Sequence, residues 1–241
     1  APSAWAWHKS RAKKVAKIVD KVACIFPFEY DVYKEAGAYA EFVGHPLVDI
    51  VKPSMTKEEA MAFAGKEEGK KLILLMPGSR LMEIEKMLPT LLEAAKIIKK
   101  QLPEVSFVMP RAGTIPISLL EEKIQASGLD VKITEGNNYD LFSVADLALA
   151  TSGTVTLEAA LCGLGSVIVY KTNPVTYFIA KLLVNIPHIG LPNIVAAKSV
   201  VPELIQNDFT PTKVAQEALA LLGSERNAKM KEDLAYVKKR L

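Results

Sequence analysis

Leu72-Ile73-Leu74-Leu75-Met76 is a run of five apolar residues with no polar position on either face. A strand of that kind is buried on both sides, as in a parallel sheet covered by helices on each face. The run is one of a series. Ser106–Pro110, Val131–Thr134, Asp146–Ala150 and Ser166–Tyr170 read as further strands. Between them lie helical patterns at Glu83–Gln101, Pro116–Ala126, Tyr139–Val144, Thr154–Leu161 and Pro174–Val184. The longest has its apolar positions at Ile84, Met87, Leu88, Leu91, Leu92, Ala95 and Ile98, the spacing of one helical face. Two-sided apolar strands alternating with helices predict an α/β, doubly wound, Rossmann-like layer order.

The first part of the chain reads as a shorter piece of the same architecture. A basic helix over Lys9–Asp20, a strand over Lys21–Phe26, a helix over Phe28–Ala36 and a strand over Tyr39–Val43 are too few to close a sheet of usual size. Pro46, Pro53, Gly65 and Gly69 punctuate the stretch from Gly44 to Gly69 around one short helix, Lys57–Phe63. The expected organisation is a truncated Rossmann-like piece over 1–50, a linker over 51–70, a complete Rossmann-like domain over 71–208, and helices over 209–241 packing back toward the first piece. After Pro202 the pattern is helical, with Thr210-Pro211 as N-cap and N1 proline of a helix over Thr212–Leu222.

Half of the 241 residues are apolar, so a disordered main state is excluded. Thirty basic against 27 acidic residues give a net charge of +3, and no nucleic-acid partner is expected from bulk charge. Cys24 and Cys162 stand far apart, without metal or redox spacing, which suits a reducing compartment. No apolar run approaches the roughly 18–20 residues of a membrane-spanning helix. The chain has no initiator Met and opens in what reads as a strand-to-helix junction, so an upstream stretch is expected. The segment His8–Lys21 interleaves six cations with Val15, Ala16, Ile18 and Val19. It suits either an anionic membrane surface or, more simply, a solvated face with its apolar stripe in the core.

Two strand-to-helix corners carry the chemistry. In open parallel sheets, ligands gather beyond the carboxyl ends of the strands. At Met76-Pro77-Gly78-Ser79-Arg80, Gly78 lets the backbone approach a ligand, Ser79 opens a helix whose N–H groups face an anion, and Arg80 adds a forked cation suited to phosphate. An ordinary turn with a solvent-facing arginine fits the same spacing. At Thr151-Ser152-Gly153-Thr154, small residues expose N–H donors at a second helix start. Glu158 lies one turn on from Thr154, where it can accept hydrogen bonds from ribose hydroxyls. A plain helix cap with a surface carboxylate is the alternative. There is no Gly-x-Gly-x-x-Gly, phosphate loop, Asp-x-Asp pair or nucleophile elbow, and the three histidines are scattered. The expectation is a two-phosphate ligand held by one arginine and two helix starts, with no metal and no cofactor.

Pro2-Ser3-Ala4-Trp5-Ala6-Trp7, Phe26-Pro27-Phe28-Glu29, Gly44-His45-Pro46, Leu75 to Arg80 with Glu83, Ser152-Gly153-Thr154 to Glu158, and Leu191-Pro192-Asn193 form an ordered series along nearly the whole chain. The series resembles the lipid-A-disaccharide synthases. The resemblance implies a GT-B architecture of two Rossmann-like domains facing a cleft. It implies metal-independent, inverting transfer of 2,3-diacylglucosamine from its UDP donor onto 2,3-diacylglucosamine 1-phosphate, in lipopolysaccharide biosynthesis of Gram-negative bacteria. The expected location is cytoplasmic, peripheral on the inner face of the inner membrane, and a homodimer is compatible with it.

Under this resemblance 71–208 is the UDP-sugar domain and 1–50 the end of the acceptor-side domain. Gly78, Ser79, Arg80, Ser152, Gly153 and Thr154 would hold the UDP diphosphate, with Arg80 stabilising the leaving group, and Glu158 would hold the ribose. Glu83 would orient Arg80 or contact the sugar. Asn193 would reach a polar group of the donor, or serve as a turn residue. Gln206 would make contacts across the cleft, or lie on a solvated helix. His45 would bond across the cleft or serve the linker. In the family the Pro-Ser-x-Trp-Ala-Trp motif lies inside the N-terminal domain. The general base and the membrane-touching patch would therefore lie upstream of Ala1, and this chain by itself would not turn over. A UDP-N-acetylglucosamine 2-epimerase of the same architecture is one rival. A UDP-binding fragment without catalysis is the other.

Overall fold

The computed structural model describes residues 9–174, 177 and 187–241. The Pro2–Trp7 motif and most of the helix expected over 174–184 lie outside the described residues.

A six-stranded parallel sheet forms the larger part: β3 (Leu72–Met76), β4 (Ser106–Arg111), β5 (Lys132–Glu135), β6 (Leu147–Thr151), β7 (Ser166–Tyr170) and β8 (Glu203–Ile205). Their order is β5-β4-β3-β6-β7-β8, with every pairing parallel. Along β3, Ile73 and Leu75 enter one core with helices α5 (Leu81–Gln101), α6 (Ile117–Ser127) and α10 (Pro211–Leu222). Leu72, Leu74 and Met76 enter the opposite core with α4 (Lys57–Ala64) and α7 (Asn138–Val144). All five β3 residues are buried, as the two-sided apolar run requires.

Chain order and strand order part at one place. From β3 the chain winds outward through β4 and β5, then returns to β6 beside β3 and winds the other way. This is the switch point at which parallel sheets open a crevice. Met76 pairs with Ala150, so the loops leaving β3 and β6 start side by side at the same sheet edge.

The earlier residues form α1 (Lys9–Val15), β1 (Val22–Cys24), α2 (Pro27–Glu35), β2 (Ala40–Phe42) and α3 (Leu47–Ile50). β1 and β2 make a separate two-stranded parallel sheet over a small core of Ala12, Val22, Cys24 and Tyr33. The basic helix stops at Val15, short of the expected Asp20, and Ile18 is 79% exposed beyond its end. Only the stretch through Ala12 and Val15 meets the core, so the apolar stripe did not predict the later turn.

The region after Pro202 is not purely helical, as expected, but contains strand β8. Three residues of strand at a sheet edge carry too little pattern to read from sequence. Thr210 does cap α10, accepting from the Lys213 N–H at 3.3 Å with Pro211 at N1. The last helix, α11 (Ser224–Arg240), packs on α8 (Thr154–Leu161) and α9 (Leu191–Ala196). The chain end then reaches the first segment, where the Leu241 carbonyl accepts from the His45 N–H at 3.0 Å.

Candidate functional site

The crevice at the switch point has a volume of about 480 Å³. Met76, Gly78, Ser79, Arg80 and Glu83 from the β3–α5 corner form one wall. Thr151, Ser152, Gly153, Thr154, Val155 and Glu158 from the β6–α8 corner form the other. Pro110, Arg111 and Ala112 from the end of β4, with Asn138 at the start of α7, complete the lining.

At the first corner Gly78 has φ +122°, a left-handed value that a side chain would strain. A Cβ there would stand 2.4 Å from Oε2 of Glu83. That space is taken by the Glu83 carboxylate. Its Oε2 accepts from the Ser79 N–H at 2.9 Å and the Arg80 N–H at 3.3 Å, while Oε1 pairs with the Arg80 guanidinium at 2.8 Å. The Ser79 N–H therefore does not face the crevice unpartnered, as expected from sequence. A glutamate at the third helical position reaches back to cap its own helix. Glu83 pairs with Arg80, whose side chain is 81% exposed at the crevice. Thr114 Oγ1 donates to the Ser79 carbonyl at 2.8 Å and ties the loop after β4 to this corner.

At the second corner the Ser152 N–H donates to Val169 in β7 at 3.1 Å, and its hydroxyl to Ile189 at 3.0 Å. Ser152 lines the crevice, but its donors hold the sheet edge together, which corrects the expectation that they face an anion. Among the described residues, no protein group accepts from the N–H groups of Gly153, Thr154 and Val155. These are the open donors of a helix start, where the dipole favours an anion. One turn along, the hydroxyls of Tyr139 and Thr154 neighbour the Glu158 carboxylate and favour its charged form. Burial pushes its carboxyl up, against the opposing pull of those hydroxyls. Burial, with the neighbouring Glu158, likewise pushes the Tyr139 phenol up.

Two expected residues do not line this crevice. Asn193 is fully buried in α9, and each of its polar positions has a partner. Its Oδ1 accepts from the Val200 and Val201 N–H groups at 2.7 and 3.0 Å, and its Nδ2 donates to the Val201 carbonyl at 2.9 Å and to Glu203 at 2.7 Å. An amide with all its capacity used inside the fold acts as a strut. Gln206 sits at φ +55° and clamps Thr172, accepting from its N–H at 2.7 Å and donating to its carbonyl at 3.2 Å. It is a turn residue, and it lies on no regular α-helix. His45 accepts from the Leu47 N–H at 3.2 Å through Nδ1 and lies against Phe26, a local role. Burial pushes its imidazole down.

Sequence reading missed Arg111 and Asn138. The Arg111 guanidinium donates to the Ile115 carbonyl at 2.7 Å and pairs with Glu135. Its place at the carboxyl end of an apolar strand was the signal that would have found it. Asn138 Oδ1 is buried without a hydrogen-bond partner, which no local pattern announces.

The model of the lipid-A-disaccharide synthetases matches residues 1–240. The chain belongs to that family. A lipid-A-disaccharide synthase from Geobacter sulfurreducens is 42% identical over all 241 residues, which span 63% of that protein's length. Among solved structures, a putative UDP-N-acetylglucosamine 2-epimerase from Listeria monocytogenes matches 90% of this chain and 55% of its own at a TM-score of 0.64 and 16% identity. A UDP-N-acetylglucosamine 2-epimerase from Neisseria meningitidis, bound to UDP-GlcNAc, matches 91% of this chain and 56% of its own at a TM-score of 0.63 and 13% identity. At those identities the likeness shows the fold alone, α/β and Rossmann-like as in GT-B proteins. Among the described residues no helix is long and apolar enough to cross a membrane.

Proposed function

We propose that this chain supplies the donor-nucleotide half of a lipid-A-disaccharide synthase. That enzyme transfers 2,3-diacylglucosamine from UDP-2,3-diacylglucosamine to 2,3-diacylglucosamine 1-phosphate in lipid A biosynthesis. Membership of the family points to the reaction class. The observation that carries the reading is the crevice between two adjacent strand-to-helix corners. It combines three open N–H donors at Gly153, Thr154 and Val155 with the Arg80 guanidinium on the facing wall.

That arrangement suits a diphosphate leaving group. As the bond between the sugar and its β-phosphate oxygen breaks, negative charge builds on the phosphate. Donors already aimed at it then stabilise the transition state more than the bound substrate. Removing one such donor typically costs about 2.7–4 kcal/mol of barrier stabilisation. Glu158, beside Tyr139 and Thr154, is placed to accept from ribose hydroxyls one helical turn from the phosphate donors. We place the whole enzyme on the cytoplasmic side of the inner membrane, bound peripherally, where a lipid acceptor would be met.

The test is titration calorimetry on the 241-residue chain. UDP is expected to bind at least about tenfold more tightly than ADP or GDP, and Arg80→Ala to weaken UDP by about tenfold, the scale of one charge-assisted hydrogen bond. Equal affinity for the three nucleotides would remove the nucleotide-sugar reading. Disaccharide formation is expected only from a chain of the relatives' full length, assayed without added metal. Turnover by the 241-residue chain alone would overturn that part.

A further inference from the structure

We infer that Glu83 is an internal competitor of the donor phosphate: its carboxylate occupies the anion seat of the β3–α5 corner, and donor binding displaces it. The inference rests on the nucleotide reading of the crevice and adds a specificity-determining residue to it.

Three positive groups converge on this one carboxylate: the Ser79 N–H, the Arg80 N–H and the Arg80 guanidinium. The seat exists only because residue 78 has no Cβ, since one built there would stand 2.4 Å from Oε2. The Glu83 side chain is 17% exposed and lines the crevice, so the seat opens onto the space proposed for the diphosphate. Arg111, the other cation of the lining, is already held by Glu135 and the Ile115 carbonyl. Arg80 is therefore the cation that can change partner.

A carboxylate and a phosphate oxygen compete for the same donors at a helix start. A free monophosphate gains little by replacing a carboxylate tethered three residues away, whose effective concentration is high. A nucleoside diphosphate, held also by the open N–H groups at Gly153, Thr154 and Val155, can displace it. In this account Glu83 lowers affinity for every phosphate ligand and penalises most strongly those without a second anchor. A helix cap alone makes no such prediction.

The experiment compares the wild-type chain with Glu83→Gln and Glu83→Ala by calorimetry, using UDP and inorganic phosphate as probes. Glutamine keeps an acceptor oxygen for the Ser79 N–H but loses the charge, so the fold should survive. Both variants are expected to bind UDP about threefold to tenfold more tightly than wild type, and to gain more for inorganic phosphate than for UDP. Unchanged or weaker UDP binding by Glu83→Gln would overturn the inference and leave Glu83 as a cap and holder of Arg80. A second readout needs no variant. The amide resonances of Ser79 and Arg80 in the wild-type chain should shift on saturation with UDP, as their acceptor changes. Resonances that stay in place while UDP binds overturn the inference alone. A wild-type chain that does not bind UDP overturns the nucleotide reading and this inference together.

Discussion

Gly78 shows how much a single position decides here. Its φ of +122° and the 2.4 Å separation between a built Cβ and Glu83 act together. Gly78→Ala must strain the backbone and also push Glu83 from the Ser79 and Arg80 N–H groups. A loss of about 1–3 kcal/mol of stability is expected, read as a lower urea midpoint at unchanged m-value. A midpoint within error of wild type would mean that the corner can relax. The glycine, Arg80 and Glu158 were legible as residues of interest because their spacing follows strand ends. The partners of their donors were not legible. Neighbours distant in sequence, Val169 and Ile189, take up the Ser152 N–H and hydroxyl. A single sequence also gives no sign that Asn193 is sealed in by Val200, Val201 and Glu203.

At the scale of elements, α7 links the crevice to the segment before the large sheet. Asn138 lines the crevice and Tyr139 neighbours Glu158, while Asp140 faces the other way and anchors the linker. The buried Asp140 accepts from the Ser54 N–H at 2.6 Å, the Met55 N–H at 2.7 Å and the Ser54 hydroxyl at 3.1 Å. Burial alone would raise its carboxyl, but these three bonds outweigh it and hold it below the usual range. Asp146 behaves alike: burial opposes, and Lys66, the Leu72 N–H and Lys71 hold it down. A carboxyl depressed in the folded state adds stability above its unfolded value of about 3.9, and that stability is lost as pH falls through the folded value. Wild-type stability is therefore expected to fall below about pH 4. Asp140→Asn is expected to lose about 1–3 kcal/mol at neutral pH and to show a shallower acid limb, with Asp146 supplying what remains. Chemical denaturation at several pH values checks both, and an unchanged acid limb would remove Asp140 from the account. Helix α7 was legible from its pattern, but its partner segment lies 85 and 86 residues away.

The whole molecule is closed by its last helix. Met230, Leu234 and Val237 of α11 are buried in the larger core. Gly165, before β7, is approached so closely by Met230 that a Cβ there would stand 2.3 Å from its sulfur. Met230→Ala is expected to cost about 2–5 kcal/mol, the usual loss for a truncated core methionine. Thermal unfolding would show it as a lower midpoint, and a change within error would mean that α11 docks without contributing to the core. The carbonyl of Leu241 on the His45 N–H then joins the chain end to the first segment, 0.3 Å farther from a built Cβ at Gly44 than from the amide it binds.

What the sequence determined alone is the layer plan. Strand-length unbroken apolar runs bounded by turn signals fit strands covered on both faces, and the helical spacing between them names the covering. It also marked the two corners, because a strand that ends in small and charged residues must open onto solvent. Only the tertiary structure decided which N–H groups remain open for a ligand. A backbone donor is taken by whatever acceptor the fold brings within about 3 Å, and those acceptors, Val169 for Ser152 and the reaching carboxylate of Glu83 for Ser79, are assigned by strand order and helix register.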